Sequence, residues 1–149
     1  MHGNGNDFVI MNSIDSDISL TEDFIKNIAS RENGIGFDQL ILVSPPEDHR
    51  HDFLVQFFNA DGGEAMMCLN GIRCASRYIW MSNFAPTRKM ILETRSKVTL
   101  VEPLGEVNVI ATIDIPNFYK DPELELALKK LIDMPFSLID AGNLHLCIE

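Results

Sequence analysis

From about residue 70 to residue 83 the apolar residues Ile72, Ala75, Tyr78 and Ile79 recur at helical spacing, and the segment is apolar on more than one face. A helix of that kind needs cover all round and takes a central, enclosed position. The rest of the chain supplies mainly strand-length runs to cover it. Residues 8–11, 40–43, 53–58, 89–94, 97–101, 107–113, 136–139 and 145–148 each read as a strand bounded by turns. After residue 88 the linkers Arg95-Ser96 and Pro103-Leu104-Gly105-Glu106 are too short for a crossover helix, so the strands there form hairpins. The class is mixed α and β.

Two other helices are predicted. Ser19-Leu20-Thr21-Glu22 fits a capping box, and Leu20, Phe24, Ile25 and Ile28 carry a helix to about Arg31. Asn33-Gly34-Ile35-Gly36 ends it. Asp121-Pro122 opens the other, with Asp as N-cap and Pro at the first position, running to about Asp133. The polar stretch 44–52 reads as a surface loop in which His49 and His51 are solvated. Trp80 reads as packing, and Glu123, Glu125, Lys129 and Lys130 as the wet face of a helix.

Charge removes some function classes. The 149 residues carry a formal net charge of −10, which disfavours nucleic acid and anionic membrane surfaces, both of which are bound through Lys and Arg. No secretory leader is visible, and no stretch approaches the ~18 apolar residues of a transmembrane helix. A reducing, cytoplasmic setting is expected for Cys68, Cys74 and Cys147. Their spacing fits neither a zinc site nor a structural disulfide, and no metal is expected. The chain opens inside a glycine-rich turn and stops inside an apolar run, so both ends are expected to be cut.

The chemistry concentrates in residues 59–74, Asn59-Ala-Asp61-Gly62-Gly63-Glu-Ala-Met-Met-Cys68-Leu69-Asn70-Gly71-Ile-Arg73-Cys74. A strand ends, a glycine turn follows, and Cys68 stands just before a helix. Free N–H groups and the macrodipole at a helix start stabilise negative charge, so they favour a thiolate there and can hold a carboxylate. The Cys68 pKa is accordingly expected below the ordinary ~8.5. Cys74 and Cys147 read as core.

Four blocks in order carry a family resemblance. They are Met1-His2-Gly3-Asn4-Gly5-Asn6-Asp7-Phe8, Gly34-Ile35-Gly36-Phe37-Asp38-Gln39-Leu40, Phe58-Asn59-Ala60-Asp61-Gly62 through Cys68 to Arg73, and Ala141-Gly142-Asn143-Leu144-His145. Together they resemble the N-terminal half of diaminopimelate epimerases. The resemblance implies an α+β fold in which a curled, mainly antiparallel sheet wraps a central helix. Residues 1–115 would be the N-terminal domain, lacking its first strand, and 116–149 the incomplete start of the second. It implies a cofactor-independent epimerase that converts LL- to meso-diaminopimelate for lysine and cell-wall synthesis. Cys68 would be one of two acid/base cysteines, with His145 supporting it. Asn6, Gln39, Asn59, Leu69, Asn70 and Asn143 would line the substrate.

The chemistry explains the need for two thiols: one group removes the α-proton from one face while another delivers a proton to the opposite face. This chain has no second catalytic cysteine. Leu69 stands where the family has glycine, and Asn4 and Leu144 replace the usual residues. The implied partner is therefore a missing C-terminal half or a second copy. Two other readings are a non-catalytic relative that binds an amino acid or a protein, and another isomerase of the same fold, such as a proline racemase or a phenazine-biosynthesis type.

Overall fold

The computed structural model describes residues 1–148, in two units that divide after Ile113. The first begins with β1 (His2–Gly3) and β2 (Asn6–Asn12). Asn4 and Gly5 between them both have φ > 0, as a two-residue type I′ hairpin requires. Asparagine tolerates that conformation better than most side chains, which gives a local reason for Asn4. The order continues with α1 (Glu22–Ala29), β3 (Gln39–Ser44), β4 (Phe53–Asn59), β5 (Glu64–Ala65) and α2 (Leu69–Met81). The hairpin strands β6 (Met90–Glu93), β7 (Val98–Leu104) and β8 (Asn108–Thr112) complete it.

The sheet order is β1-β2-β3-β4-β6-β7-β8, with β5 on β4. Helix α2 contacts β1, β2, β3, β4 and also β8. Strands at both ends of the sheet touch one helix, so the sheet curls around it, and the enclosed helix expected from the sequence is α2. Ile72, Ala75 and Ile79 are fully buried against Ile41, Val43, Val55, Phe57 and Leu92. Pairing is mainly antiparallel, with two parallel exceptions. β2 pairs with β3 across α1, and β4 pairs with β6 across α2. Both crossovers carry a helix, as parallel connections need.

Strand β3 belongs to two cores. Ile41 and Val43 face α2, while Leu40 and Leu42 face α1 with Ile25, Ala29 and Phe37. Burial on both faces explains why 40–43 is a continuous apolar run rather than an alternating one. Helix α1 starts later than the capping box places it. Thr21, not Ser19, is the N-cap; its Oγ1 accepts from the Phe24 N–H at 3.2 Å, and Glu22 is the first helical residue. The helix ends at Ala29 rather than near Arg31, because the N–H groups of Ile35 and Gly36 turn back to the Ile28 carbonyl.

The loop before β4 is tied down by a carboxylate. Glu93 is 8% exposed and accepts from the N–H groups of Glu47 (2.8 Å) and Asp48 (3.0 Å). His51 Nδ1 lies 2.5 Å from the same carboxylate, so His51 is held in place rather than solvated; His49 is exposed. Burial pushes the Glu93 carboxyl up, but His51 and the two N–H donors more than offset this, and it ends below the ordinary carboxylate range. A folded-state value below the unfolded one stabilises above the ordinary pKa, and the stabilisation disappears as pH falls through the folded value. Glu93→Gln keeps the shape but sets an NH2 against N–H donors. It is expected to cost about 1–3 kcal/mol at neutral pH, by the price of an unsatisfied buried donor. The difference should vanish in acid, where Glu93 is itself protonated. Urea midpoints at the two pH values measure this, and equal midpoints at neutral pH would contradict it.

The second unit holds β9 (Asn117–Phe118), α3 (Pro122–Lys129), β10 (Phe136–Asp140) and β11 (Leu144–Ile148). Asp121 caps α3 through the N–H groups of Glu123 and Leu124, as expected, but the helix stops at Lys129, short of Asp133. The sheet order is β11-β10-β9. Leu138 is its buried apolar residue, whereas every residue of β11 is exposed. Cys147 is therefore exposed and not core, because β11 is an edge strand whose residues are all exposed. Among the described residues, no helix is long and apolar enough to cross a membrane.

Candidate functional site

Register gathers the expected polar residues of the first unit at one end of the sheet. Phe8 is level with Gln39, and Gln39 with Asn59, across β2, β3 and β4. Gln39 Nε2 donates to Asn59 Oδ1 at 2.8 Å. Helix α2 starts over this end. Gly71 lies so close to the β4 ring of Phe57 that a Cβ would stand 2.5 Å from it. Asn70 Nδ2 donates to Asn6 Oδ1 at 2.9 Å and so ties the helix start to β2. Leu69 is the first residue of α2 and is half-buried.

Cys68 is the N-cap of α2, as its sequence position suggested. Its backbone is extended (φ −142°, ψ 109°), and Sγ accepts from the Gly71 N–H at 3.4 Å. The thiol thus uses a free N–H of its own helix. Its protonation differs from expectation. Burial pushes the Cys68 thiol up, and the N–H groups of Gly71 and Asn70, with Arg73, only partly oppose it. The helix start does act in the expected direction, but desolvation of the thiolate is the larger effect. The surroundings of Cys68 therefore favour the neutral thiol over the thiolate. Cys74 is buried, as expected, and burial raises its pKa too.

The geometry adds a network that the sequence did not single out. Asp38 Oδ2 accepts from the Asp7 N–H at 2.9 Å and from Asn6 Nδ2 at 3.3 Å, while Arg31 bridges Asp38 (3.0 Å) and Asp7 (3.1 Å). The Asp7 N–H, then the Asn6 amide, hold Asp38 below the ordinary carboxylate range despite its partial desolvation. Asn70 Oδ1 receives Asn4 Nδ2 at 3.3 Å and Arg73 Nη2 at 2.5 Å. Asn6 and Asn70 are thereby held from both sides. The available signal was Asp38 itself, which sits beside Gln39 in the second block. Asn143 and His145 belong to the second unit: Asn143 lies in the turn between β10 and β11, where its carbonyl accepts from the Ala141 N–H, and His145 is an exposed residue of β11 paired with Ile139.

Exposure and charge fix the order of thiol reactivity. Iodoacetamide at neutral pH is expected to modify exposed Cys147 first, half-buried Cys68 next and buried Cys74 last. The Cys68 rate should still be rising above pH ~8.5, the ordinary thiol value. Peptide mapping by mass spectrometry measures this; Cys68 reacting fastest at neutral pH would restore the thiolate expectation.

Comparison with solved structures defines the class of fold. The chain is similar to a hydroxyproline epimerase from Agrobacterium vitis, with a TM-score of 0.67 and 13% identity, covering 99% of this chain and 49% of that one. It is also similar to a PhzF-family phenazine biosynthesis protein from Bacillus anthracis, with a TM-score of 0.61 and 19% identity over 97% of this chain and 50% of the other. The α+β fold is thus that of about half of such chains. Sequence narrows the class further. The diaminopimelate epimerase family model matches residues 1–114, and the chain is 37% identical over 118 residues to a diaminopimelate epimerase from Chromobacterium violaceum. This chain belongs to the diaminopimelate epimerase family. The match covers 79% of the chain but only 43% of that relative, so the chain spans less than half of the relative's length.

Proposed function

We propose that the chain is the N-terminal part of a cofactor-independent epimerase that interconverts LL- and meso-diaminopimelate in lysine and cell-wall biosynthesis in the cytoplasm. Cys68 is one of its two acid/base thiols. The observation that carries this reading is the Cys68 thiol capping α2 beside the Asn6–Asn70 pair, in a chain of this family. Asn6, Gln39, Asn59 and Asn70 hold the polar groups of the amino acid and Leu69 borders them; for Asn143 and His145 the family resemblance implies substrate-binding and supporting roles. As a neutral thiol, Cys68 is poised to deliver a proton to the α-carbon, and a thiolate on the opposite face removes one. The carbanionic transition state needs fixed dipoles in a site closed to water.

The second thiol comes from a C-terminal half; turnover by the chain alone would assign it to a second copy instead. The chain alone is inactive as an epimerase, because one thiol cannot serve both faces. The test is incubation with LL-diaminopimelate in deuterated water, with and without the complementary C-terminal portion of the Chromobacterium violaceum relative. Epimerisation restored by that portion is the expected result. Full turnover by the isolated chain would refute the half-enzyme reading. Leu69 favours a second reading, a relative that binds an amino acid without turning it over; no exchange and no restoration, reversed by Leu69→Gly, would support it.

A further inference from the structure

Six arginines are present, and four of them have carboxylate partners: Arg31 with Asp7 and Asp38, Arg50 with Asp48, Arg88 with Asp52, and Arg95 with Glu47 and Glu64. Arg73 and Arg77 differ. They stand one turn apart on α2, where like charges four residues apart repel. Arg73 donates to the neutral Asn70 amide and Arg77 to the backbone carbonyl of Glu106. Neither forms an ion pair among the described residues, in a chain with 22 carboxylates and a net charge of −10. Both line one cleft of about 560 Å³, together with His2, Asn4, Asn70 and Asn108. No Asp or Glu lines it among the described residues; Glu106 offers Arg77 its carbonyl, and its carboxylate is not in the wall.

We propose that this cleft binds a small oxyanion carrying two negative charges, either a phosphate or a dicarboxylate, through Arg73 and Arg77. Guanidinium forks suit such oxygens because two parallel N–H groups meet two acceptors. The asparagine amides supply neutral donors around them. His2 adds an imidazole N–H to the same wall. The cleft shares Asn4, Asn70 and Arg73 with the network around Asn6, but Cys68, Gln39 and Asn59 are not among its walls.

The experiment is calorimetric titration of the 149-residue chain with inorganic phosphate and, separately, with succinate at low salt. Saturable binding of one or both, at one site per chain and weakening as salt rises, is the expected result. Binding of phosphate alone or succinate alone assigns the chemical class. Arg77→Gln should weaken binding by about tenfold or more, the loss of a charge-assisted hydrogen bond. Lys89→Gln removes the same charge from the Lys89–Glu102 surface pair and should leave binding intact. No saturable binding of either anion overturns the proposal, as does unchanged affinity in Arg77→Gln or an equal loss in Lys89→Gln. Should Arg77→Gln not fold by circular dichroism, Arg77→Lys and Arg73→Gln replace it, and unchanged affinity in both overturns the proposal equally.

Discussion

Cys68→Ser is expected to lower the epimerisation restored by a supplied C-terminal portion by ~10²–10⁴-fold, the usual cost of losing a positioned acid/base group. The substitution tests chemistry rather than folding. Cys68 caps α2 with a sulfur 3.4 Å from the Gly71 N–H, and serine is a better N-cap than most residues. The helix start should persist, and thermal stability should stay level or rise. The hydroxyl, however, ionises far above any working pH and cannot exchange a proton with carbon as a thiol does. The pH profile supplies a second readout. Because burial raises the Cys68 pKa, any step that uses its thiolate should keep accelerating above pH ~8.5, the ordinary thiol value. Activity retained within a few-fold in the serine variant would remove Cys68 from the mechanism.

Gly71→Ala is expected to destabilise the chain although it adds only one methyl group. In an open helix this change would gain ~1 kcal/mol, because glycine is a poor helix former. Here the new Cβ would stand 2.5 Å from Phe57 Cε1 and 3.3 Å from Ile41 Cδ1, and both residues are fully buried. Neither ring nor methyl has free space to retreat into, so overpacking of about 1–3 kcal/mol prevails. The melting temperature should fall by roughly 2–4 °C per kcal/mol lost in a chain of this size. Because Gly71 also provides the N–H that Cys68 accepts, the strain falls on the Cys68 cap as well. A raised melting temperature would show that the Phe57 ring yields and that the close packing of α2 on β4 is not a constraint.

The enclosed helix, the hairpins after residue 88 and the cap position of Cys68 were all legible in the sequence, because each depends on local pattern. What was missed depends on partners distant in the chain. Ser19 and Thr21 are both good caps, and only the docking of α1 on β3 decides for Thr21. His51 looks solvated beside Pro45, Pro46 and Asp48 until Glu93, 42 residues later, is placed against it. Cys147 looks like core because its neighbours are apolar, yet β11 is an edge. The thiol pKa failed for a different reason: the sign of the helix effect follows from sequence, but its size against burial does not. The two-residue strands β1, β5 and β9 carry no periodicity at all. The roles of Asn143 and His145 rest on the family resemblance.

The strand shared by two cores bears on how the chain opens. Leu40 and Leu42 belong to one apolar cluster, Ile41 and Val43 to the other. Neither cluster can come apart while β3 keeps its register, since slipping β3 by one residue would exchange its two faces. Residues 1–113 should therefore lose structure as one cooperative foldon, with the β3 amides among the slowest to exchange with deuterium. The β11 amides, on an edge strand with every side chain exposed, should exchange orders of magnitude sooner.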